Sequence, residues 1–308
     1  MSKNGAAVGV ELFEIHNYLS LQDAVTGILG EVCELLRGYR SRFAIIGGWS
    51  PFLLNSSPIQ HPGTKDVDIL FEEGTKKGEL LDIVQSFVGA GFLLSAKHQF
   101  QVLRILNVLG TPFVFNVDVL HPTIGNESPE LFVDHLELPV PMSSYRDDSF
   151  TFKSIVLPYS KFLFDGYIEN TTVRCILPNG QECDSTVPLM NEVGTIVTKS
   201  SSCGSRKRHR DAFDIYLAIR QARNPSILID SLQSLKKHNL AVFNTLYEIK
   251  RSLNTTRFVD NVSSYLTPPN WCSSLESMVA YEEQKTLIRS EMEQFLEKVG
   301  LDPLASNP

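Results

Sequence analysis

Hydrophobic and polar positions in the first half of the chain alternate between a helical and a β-strand pattern. After Ser20, which with Asp23 has the sequence of a helix N-cap, apolar residues recur every three or four positions and predict a helix that ends near Gly38. Short apolar runs predict the other elements: strands at Arg42–Gly47 and Asp66–Phe71, helices at Trp49–Leu54 and Gly78–Val88, and a hairpin of Val102–Leu109 with Pro112–Leu120. The first half is therefore predicted to be a small mixed sheet with helices packed on it.

The second half is predicted to be mostly helical. Pro122–Pro158 is rich in Pro, Ser and Asp and is predicted to be an irregular crossing, whereas Val173–Leu177 followed by Pro178-Asn179-Gly180 predicts a hairpin. Helical spacing then returns in five segments: Pro188–Ser200, Arg208–Gln221, Ser226–Lys237, Ala241–Leu253 and Tyr281–Val299. The predicted fold class is α/β in the α+β sense, with a small mixed β-sheet core over residues 1–140. Residues 141–308 are predicted to continue that core and then to form a mostly helical C-terminal domain.

Composition and charge place the chain among ordinary globular proteins. It has 308 residues, of which 43% are hydrophobic and 20% charged, so it can bury a core and is not disordered. Its five cysteines are scattered without zinc-type spacing, which argues against a disulfide scaffold or a structural zinc site. Residues 1–10 lack the build of a signal peptide and no apolar run approaches the length of a membrane span, so we expect a cytoplasmic protein with no membrane partner. The net charge of −7 argues against a general nucleic-acid coat but leaves room for a local basic groove.

The strongest chemical signal is a glycine pair followed by two aspartates. Gly47-Gly48 ends a predicted strand, and glycine there lets the backbone approach a phosphate closely. Asp66 and Asp68 lie at positions i and i+2 of the next strand, so their side chains share a face. Two adjacent carboxylates repel unless a cation neutralises them, and Mg²⁺ takes one or two carboxylates together with substrate phosphates. The combination indicates nucleotide, metal and phosphoryl chemistry.

A third carboxylate fits the same chemistry. Asp118 lies in an apolar strand, where an unpaired charge is costly. Beside the first two aspartates it would complete a two-metal site that activates a hydroxyl and stabilises a leaving pyrophosphate. The alternative is that Asp118 only ends its strand near His121 and hydrogen-bonds a loop.

A basic segment follows in the second half. Five cations lie within twelve residues that contain no acid: Lys199, Arg206, Lys207, Arg208 and Arg210. In a chain of negative net charge this is a local reversal of sign, which would bind a triphosphate or an RNA backbone. The alternative is a solvated helix start. Lys199 closes a predicted helix, which orients its ammonium, and Asp211 and Asp214 share the face of the next helix.

Two aromatic side chains near the glycine and aspartate motifs have simpler interpretations. His61 lies in the predicted loop before Asp66 and is expected to be exposed, as most loop histidines are; the alternative is a contact with substrate. Trp49 follows a buried strand and is expected to be part of the core; the alternative is stacking on a base.

The motifs resemble those of a known enzyme superfamily. The G-[GS]…D-x-D signature of the DNA-polymerase-β-like nucleotidyltransferases is similar to Gly47-Gly48-Trp49-Ser50 and Gly63-Thr64-Lys65-Asp66-Val67-Asp68. The "K … R-x-x-D-x-x-D" block of AbiEii-type nucleotidyltransferases, the toxin half of type IV toxin–antitoxin pairs, resembles Lys199 and Arg208–Tyr216. Trp49 stands where the signature usually has Ser or Thr, and the loop before the aspartates is long for it. A Gly-Gly-Trp form also occurs in antibiotic-modifying nucleotidyltransferases.

The resemblance implies that a nucleoside monophosphate passes from an NTP to an acceptor hydroxyl with release of pyrophosphate. It implies that Asp66, Asp68 and Asp118 hold Mg²⁺, with Mn²⁺ as a substitute, and that Asp118 serves as metal ligand or as base. Other roles are implied for three groups: catalysis for Lys199 and Asp211, phosphate binding for Gly47, Gly48, Ser50 and Lys199, and contact with RNA or phosphate for Arg206, Lys207, Arg208 and Arg210. The implied partners are an NTP, an RNA acceptor such as a tRNA 3′ end, and a cognate antitoxin protein. Transfer to an aminoglycoside-like small molecule and a non-catalytic nucleotide-binding regulatory module stay open as alternatives.

Overall fold

The computed structural model shows a mixed β-sheet of ten strands with helices on both sides, and it describes residues 15–40, 42–54, 58–122, 134–143, 146–157, 159–267 and 275–301. The strands are β1 (Asn17–Tyr18), β2 (Phe43–Ile46), β3 (Asp66–Phe71), β4 (Leu93–Leu94), β5 (Gln101–Val108), β6 (Thr111–Pro122), β7 (Asp134–Ser143), β8 (Arg146–Leu157), β9 (Ile168–Ile176) and β10 (Glu182–Met190). The helices are α1 (Leu21–Leu36), α2 (Trp49–Leu53), α3 (Lys77–Gly89), α4 (Glu192–Ser200), α5 (Arg210–Arg220), α6 (Pro225–His238), α7 (Leu240–Asn254), α8 (Arg257–Leu266) and α9 (Leu275–Val299), with a 3₁₀ turn at Ser160–Asp165. The α+β class is confirmed.

The strand order places the predicted aspartates in the middle of the sheet. The order is β1-β5-β6-β3-β2-β10-β9, while β4 pairs with β5, and the β7–β8 hairpin joins the sheet through β8 and β6. β3 runs parallel to β6 and antiparallel to β2. The strand that carries the D-x-D pair therefore lies between the strand that ends at the glycine pair and the strand that carries Asp118.

Each face of the sheet is buried against a different set of helices. Val67 and Ile69 of β3 belong to a core that they share with α1 and α3. Leu70 of β3 and Leu120 of β6 belong to a second core, which they share with helices of the C-terminal half. Because side chains alternate between the two faces of a strand, Asp68 shares the face of Leu70. The aspartates are therefore on the side of the sheet that the C-terminal helices cover.

Several elements form where local patterns predict them. α1 begins directly after Ser20, whose Oγ accepts a hydrogen bond from the Asp23 N–H at 3.0 Å. The two strands of the β5–β6 hairpin meet with Val108 opposite Thr111. β3 has the predicted bounds, and β9 and β10 form the predicted antiparallel pair. The cap of α1 and the two antiparallel pairs depend on contacts between residues that are close in sequence, whereas β3 pairs with the more distant β2 and β6.

The prediction of an irregular crossing between Pro122 and Pro158 is wrong. The described part of this stretch forms the antiparallel β7–β8 pair, and β8 runs parallel to β6. Pro139 and Pro141 indicated a loop because proline cannot donate to a strand ladder. Within the described residues β7 pairs with β8 alone, so it is an edge strand, where proline is tolerated.

Two further differences concern the helical half. The helix predicted from Pro188 begins at Glu192, because Pro188–Met190 pair with β9 and Asn191 caps the helix by accepting a hydrogen bond from the Gly194 N–H at 3.1 Å. The sequence pattern did not predict α8.

Among the described residues, no helix combines the length and the apolar character that a membrane span requires.

Candidate functional site

The three predicted carboxylates lie on two neighbouring strands. In the parallel pairing of β3 and β6, Asp68 is directly opposite Asp118, and Asp66 is opposite Asn116. Gln101 of β5 is in turn opposite Asp118 in the antiparallel pairing of β5 and β6. The structure therefore brings together Asp66, Asp68 and Asp118 on one face of the sheet.

Side-chain amides and an indole form hydrogen bonds to Asp66 and Asp118. Gln101 Nε2 donates to Asp118 Oδ1 at 2.8 Å, and Asn116 Nδ2 lies 3.4 Å from Asp66 Oδ1. The buried Trp49 confirms its predicted place in the core, and its Nε1–H donates to the main-chain carbonyl of Asp66 at 2.8 Å. Sequence reasoning missed Gln101 and Asn116, because only the strand register shows that they lie beside the aspartates.

The carboxylate cluster holds more negative charge than its surroundings favour. Burial, followed by the charges of Asp118 and Asp66, raises the pKa of Asp68 to about 7. Burial also raises the pKa of Asp66 and of Asp118, although Arg210 opposes the shift of Asp66 and the Gln101 hydrogen bond opposes that of Asp118. Over the described ranges, no three His, Cys, Asp or Glu side chains form by themselves a group that could hold a metal ion.

The glycine pair lies against both the carboxylates and a cation. Gly47 has a positive φ of 76°, and a Cβ at this position would overlap Oδ2 of Asp68. A Cβ on Gly48 would lie 2.8 Å from Nη2 of Arg210. Glycine is therefore required at position 47 for two reasons, the backbone conformation and the close approach of Asp68, whereas Gly48 lets Arg210 come close to the backbone.

A buried ion-pair cluster lies next to the sheet. Lys199 Nζ, at the end of α4, is 2.9 Å from Asp211 Oδ1 and 2.8 Å from Asp214 Oδ2, both on α5. Burial disfavours the ammonium, but Asp214 and Asp211 outweigh burial and raise the pKa of Lys199. Ser202 Oγ donates to Asp211 Oδ2 at 2.6 Å. Lys199 therefore has two carboxylate partners within the protein.

Asp214 is the centre of this cluster, and His61 is one of its partners. The expectation that His61 is exposed is therefore wrong. The imidazole is buried, its Nδ1 accepts from the Gly63 N–H at 3.1 Å, and its Nε2 is 3.0 Å from Asp214 Oδ1. Since Nδ1 is the acceptor, the neutral ring carries its proton on Nε2 and donates to Asp214. Burial raises the pKa of Asp214, but Lys199, His61 and Arg210 together lower it below the ordinary value. No sequence signal links His61 to a partner 153 positions away.

Arg210 connects the helical cluster to the sheet. Its Nη1 donates to the main-chain carbonyl of Gly63 at 3.2 Å, and its Nε is 3.7 Å from Asp214 Oδ2. The guanidinium also opposes the raised pKa of Asp66 and of Asp68. Its side chain is about one-third exposed. Arg210 is therefore a partly accessible cation between the glycine pair, the carboxylates and α5.

The remaining predicted site residues lie in two different environments. Arg206, Lys207 and Arg208 are exposed in the turn before α5. Ser50 is buried, and its Oγ has no hydrogen-bond partner among the described residues. It lines a small cavity with Thr195 of α4 and Gln221 after α5. The structure thus groups the carboxylates, Gly47, Gly48, Lys199, Asp211 and Arg210, and places Ser50 at the packing contact between α2 and the helical half.

The raised pKa of Asp68 predicts an unusual dependence of stability on pH. The folded-state pKa of about 7 lies above the ordinary value of 3.8, so the folded protein binds more protons than the unfolded chain between these values. This contribution to stability is complete below the ordinary pKa and is lost as pH rises through the folded-state pKa. Denaturant titrations in EDTA at several pH values should show this fall, and it should be shallower in Asp68→Asn. An equal slope in both proteins would contradict the assignment.

Comparisons with known proteins add a weak structural likeness. No protein-family model matches the chain, and no curated protein matches it in sequence. It is similar to the crystal structure of an antigenic nucleotidyltransferase-like protein from Paracoccidioides brasiliensis, with 16% sequence identity and a TM-score of 0.32. The likeness covers 73% of this chain and 93% of that chain. A likeness at this TM-score assigns neither a family nor a function to the chain.

Proposed function

We propose that this protein is a nucleotidyltransferase that moves a nucleoside monophosphate from an NTP to an acceptor hydroxyl. The observation that carries the proposal is the direct opposition of Asp68 and Asp118 on neighbouring parallel strands, with Asp66 two residues before Asp68. The glycine pair that lies against Asp68 and Arg210 supplies close backbone approach and a cation for phosphate groups. Carboxylates, a glycine turn and a cation in one place are the components that phosphoryl transfer requires.

The residues fit Mg²⁺, or Mn²⁺, as the cofactor. The raised pKa values of the three carboxylates mark a cluster that a divalent cation would relieve. Mg²⁺ is commonly held by one or two carboxylates together with substrate phosphates, so the cluster does not need to form a closed cage by itself. When bound, the cation would neutralise the triphosphate and stabilise the charge that develops during transfer.

Different side chains have different roles in the proposed reaction. The acceptor oxygen forms a bond to the α-phosphorus, the bond to the bridging oxygen breaks, and pyrophosphate leaves with the electron pair. Asp118, oriented by Gln101, takes the acceptor proton in our proposal. Arg210 binds the negative charge of the phosphates, while Lys199 holds Asp211 and Asp214 and favours the ionised form of Asp68.

We propose RNA, and specifically a tRNA 3′ end, as the acceptor. The exposed turn of Arg206, Lys207 and Arg208 supports this choice, because consecutive exposed cations suit a phosphate backbone better than a small molecule. The resemblance of Lys199 and Arg208–Tyr216 to AbiEii-type enzymes supports a toxin-type role with a cognate antitoxin protein as partner.

A transfer assay tests the function. The protein is incubated with Mg²⁺ and each labelled NTP in turn, with total tRNA or an aminoglycoside as acceptor. We expect label on RNA from wild type and none from the double variant Asp66→Asn, Asp68→Asn. Label on the aminoglycoside alone would assign a small-molecule acceptor, and no label on either would favour a regulatory nucleotide-binding module.

A comparison of Gly47→Ala with Gly110→Ala should distinguish the effect of backbone strain from the effect of displacing Asp68. Both Gly47 (φ 76°) and Gly110 (φ 77°) have left-handed backbones, but nothing lies within 4 Å of a Cβ on Gly110. The backbone conformation should cost each alanine about 1–2 kcal/mol of stability, and Gly47→Ala should cost more because its methyl group overlaps Asp68. Only Gly47→Ala should also reduce transfer, since its methyl group displaces Asp68. Equal transfer activity of the two variants would contradict the role of the close approach.

Neutralising the basic turn should change the salt dependence of RNA binding. Arg206→Gln with Lys207→Gln removes two exposed cations before α5. If both contact a single strand, the slope of log K against log salt should fall by about 1.4, or about 0.7 for each contact. Binding of a labelled tRNA at several salt concentrations measures the slope, and an unchanged slope would place the RNA elsewhere.

A further inference from the structure

A ladder of aromatic rings extends from the candidate site to the surface. The His209 and Tyr265 rings are 5.4 Å apart at 22°, and the Tyr265 and Phe213 rings are 4.9 Å apart at 21°. The Phe213 and His61 rings continue the ladder at 6.2 Å and 26°. Each ring is therefore nearly parallel to its neighbour, and the innermost of the four is the histidine that donates to Asp214.

The outer end of the ladder is accessible and borders the site. Phe213 and His61 are buried, whereas Tyr265 is half-buried and His209 is exposed. Arg210 and Asp214 are among the charges that act on the Tyr265 phenol, so this ring lies close to the site. One face of the exposed imidazole is against Tyr265, and within the described ranges no second ring stacks on His209.

The cations beside the ladder indicate which class of ligand would stack on His209. Arg206, Lys207 and Arg208 directly precede His209 in the chain and are exposed. Cations next to an aromatic face are the combination that binds single-stranded nucleic acid, in which phosphates contact the cations and bases stack on the rings.

We propose that His209 and Tyr265 form a stacking platform for an unpaired base of a nucleic-acid single strand, whose phosphates lie along Arg206, Lys207 and Arg208. The inference deepens the proposed function, on which it rests, because it assigns the residues that would hold the unpaired end of an RNA acceptor. A base on His209 would continue the ladder outward, and Arg210, the next residue in the chain, would face the adjoining phosphate.

Binding of two matched strands tests the platform. One is a fluorescein-labelled single-stranded RNA of twelve nucleotides, and the other has the same number of phosphates but abasic sugars. Fluorescence anisotropy should show that His209→Ala weakens binding of the RNA by about 5- to 150-fold, the range for loss of one stacked base, and leaves binding of the abasic strand unchanged. His209→Phe should restore RNA binding, because it keeps an aromatic face.

His238 offers a matched control. It is an exposed histidine that follows Lys236 and Lys237 at the end of α6. His238→Ala removes an imidazole next to cations away from the ladder, so it should leave RNA binding unchanged. Tyr265→Phe should also bind like wild type, whereas Tyr265→Leu should bind like His209→Ala, with a melting curve to check its fold.

The outcomes separate this inference from the function on which it rests. Equal binding of RNA and abasic strand by wild type, or an equal loss of both in His209→Ala, would overturn the platform. RNA binding that depends on His209 without any transfer of label would refute the enzyme and retain the platform. Transfer that is undiminished in His209→Ala, with RNA binding also undiminished, would retain the enzyme and refute the platform.

Discussion

Substituting Lys199 with methionine is expected to lower the free energy of unfolding by about 3–5 kcal/mol, the cost of leaving a buried charge without its partner. The ammonium lies within 2.9 Å of a carboxylate oxygen of both Asp211 and Asp214, and the Asp214 side chain is fully buried. Methionine keeps much of the side-chain volume, so the loss would come from charge and not from packing. Urea titration monitored by circular dichroism measures the change.

Two further variants make the prediction specific. Adding Asp214→Asn to Lys199→Met should recover part of the loss, because the uncompensated charge goes while the amide oxygen can still accept from His61. Arg174→Met removes a cation from an ion pair with Glu182 in which both side chains are well exposed, and should leave the unfolding midpoint nearly unchanged. A Lys199→Met midpoint equal to that of Arg174→Met would show that the buried ion pairs of Lys199 do not stabilise the fold.

Asp68→Asn and Asp118→Asn are each expected to lower the rate of nucleotidyl transfer by at least about 100-fold. The proposed cation would contribute several kcal/mol of charge stabilisation to the transition state, and each 1.4 kcal/mol corresponds to a factor of about ten. The two residues are opposite each other on β3 and β6, so neither can replace the other's position. Initial rates with labelled NTP and tRNA at saturating Mg²⁺ measure the effect.

Glu72→Gln is the matched control for these two variants. Glu72 directly follows β3 and pairs with Arg42 at 2.9 Å, away from the carboxylate cluster. It should keep the wild-type rate, while Asp68→Asn should be at least as stable as wild type in EDTA, because it removes a buried charge. Rates of Asp68→Asn and Asp118→Asn within twofold of Glu72→Gln would defeat the proposed function.

The candidate site could be predicted from the sequence to the extent that its parts are local. Asp66 and Asp68 share a face because a strand has a period of two, and Gly47 is needed because only glycine adopts its backbone conformation without cost. Lys199 could be selected from a local block of positive charge, and Asp211 from the resemblance of Arg208–Tyr216 to a known motif. Their contact at 2.9 Å depends on how α4 packs against α5, which no spacing in the sequence states.

The parts that escaped prediction are those with distant partners. His61 has the appearance of an ordinary loop histidine until α5 brings Asp214 within 3.0 Å of it. Gln101 lies among apolar strand residues, and only the register of β5 on β6 places it opposite Asp118. Tyr265 lies on α8, which local periodicity did not predict, and its role depends on the ring of Phe213 beneath it.

By itself the sequence determined the class of the fold, the local elements and the kinds of charge available, because caps, turns and strand alternation act over a few residues. The tertiary structure alone decided which charges meet, since ion pairs and strand registers join residues that are far apart in the chain. It placed β3 between the glycine pair and Asp118, and it buried the Lys199 cluster beside them. The physical reason is that electrostatic interactions depend on separation in space and on burial, and local patterning determines neither of these.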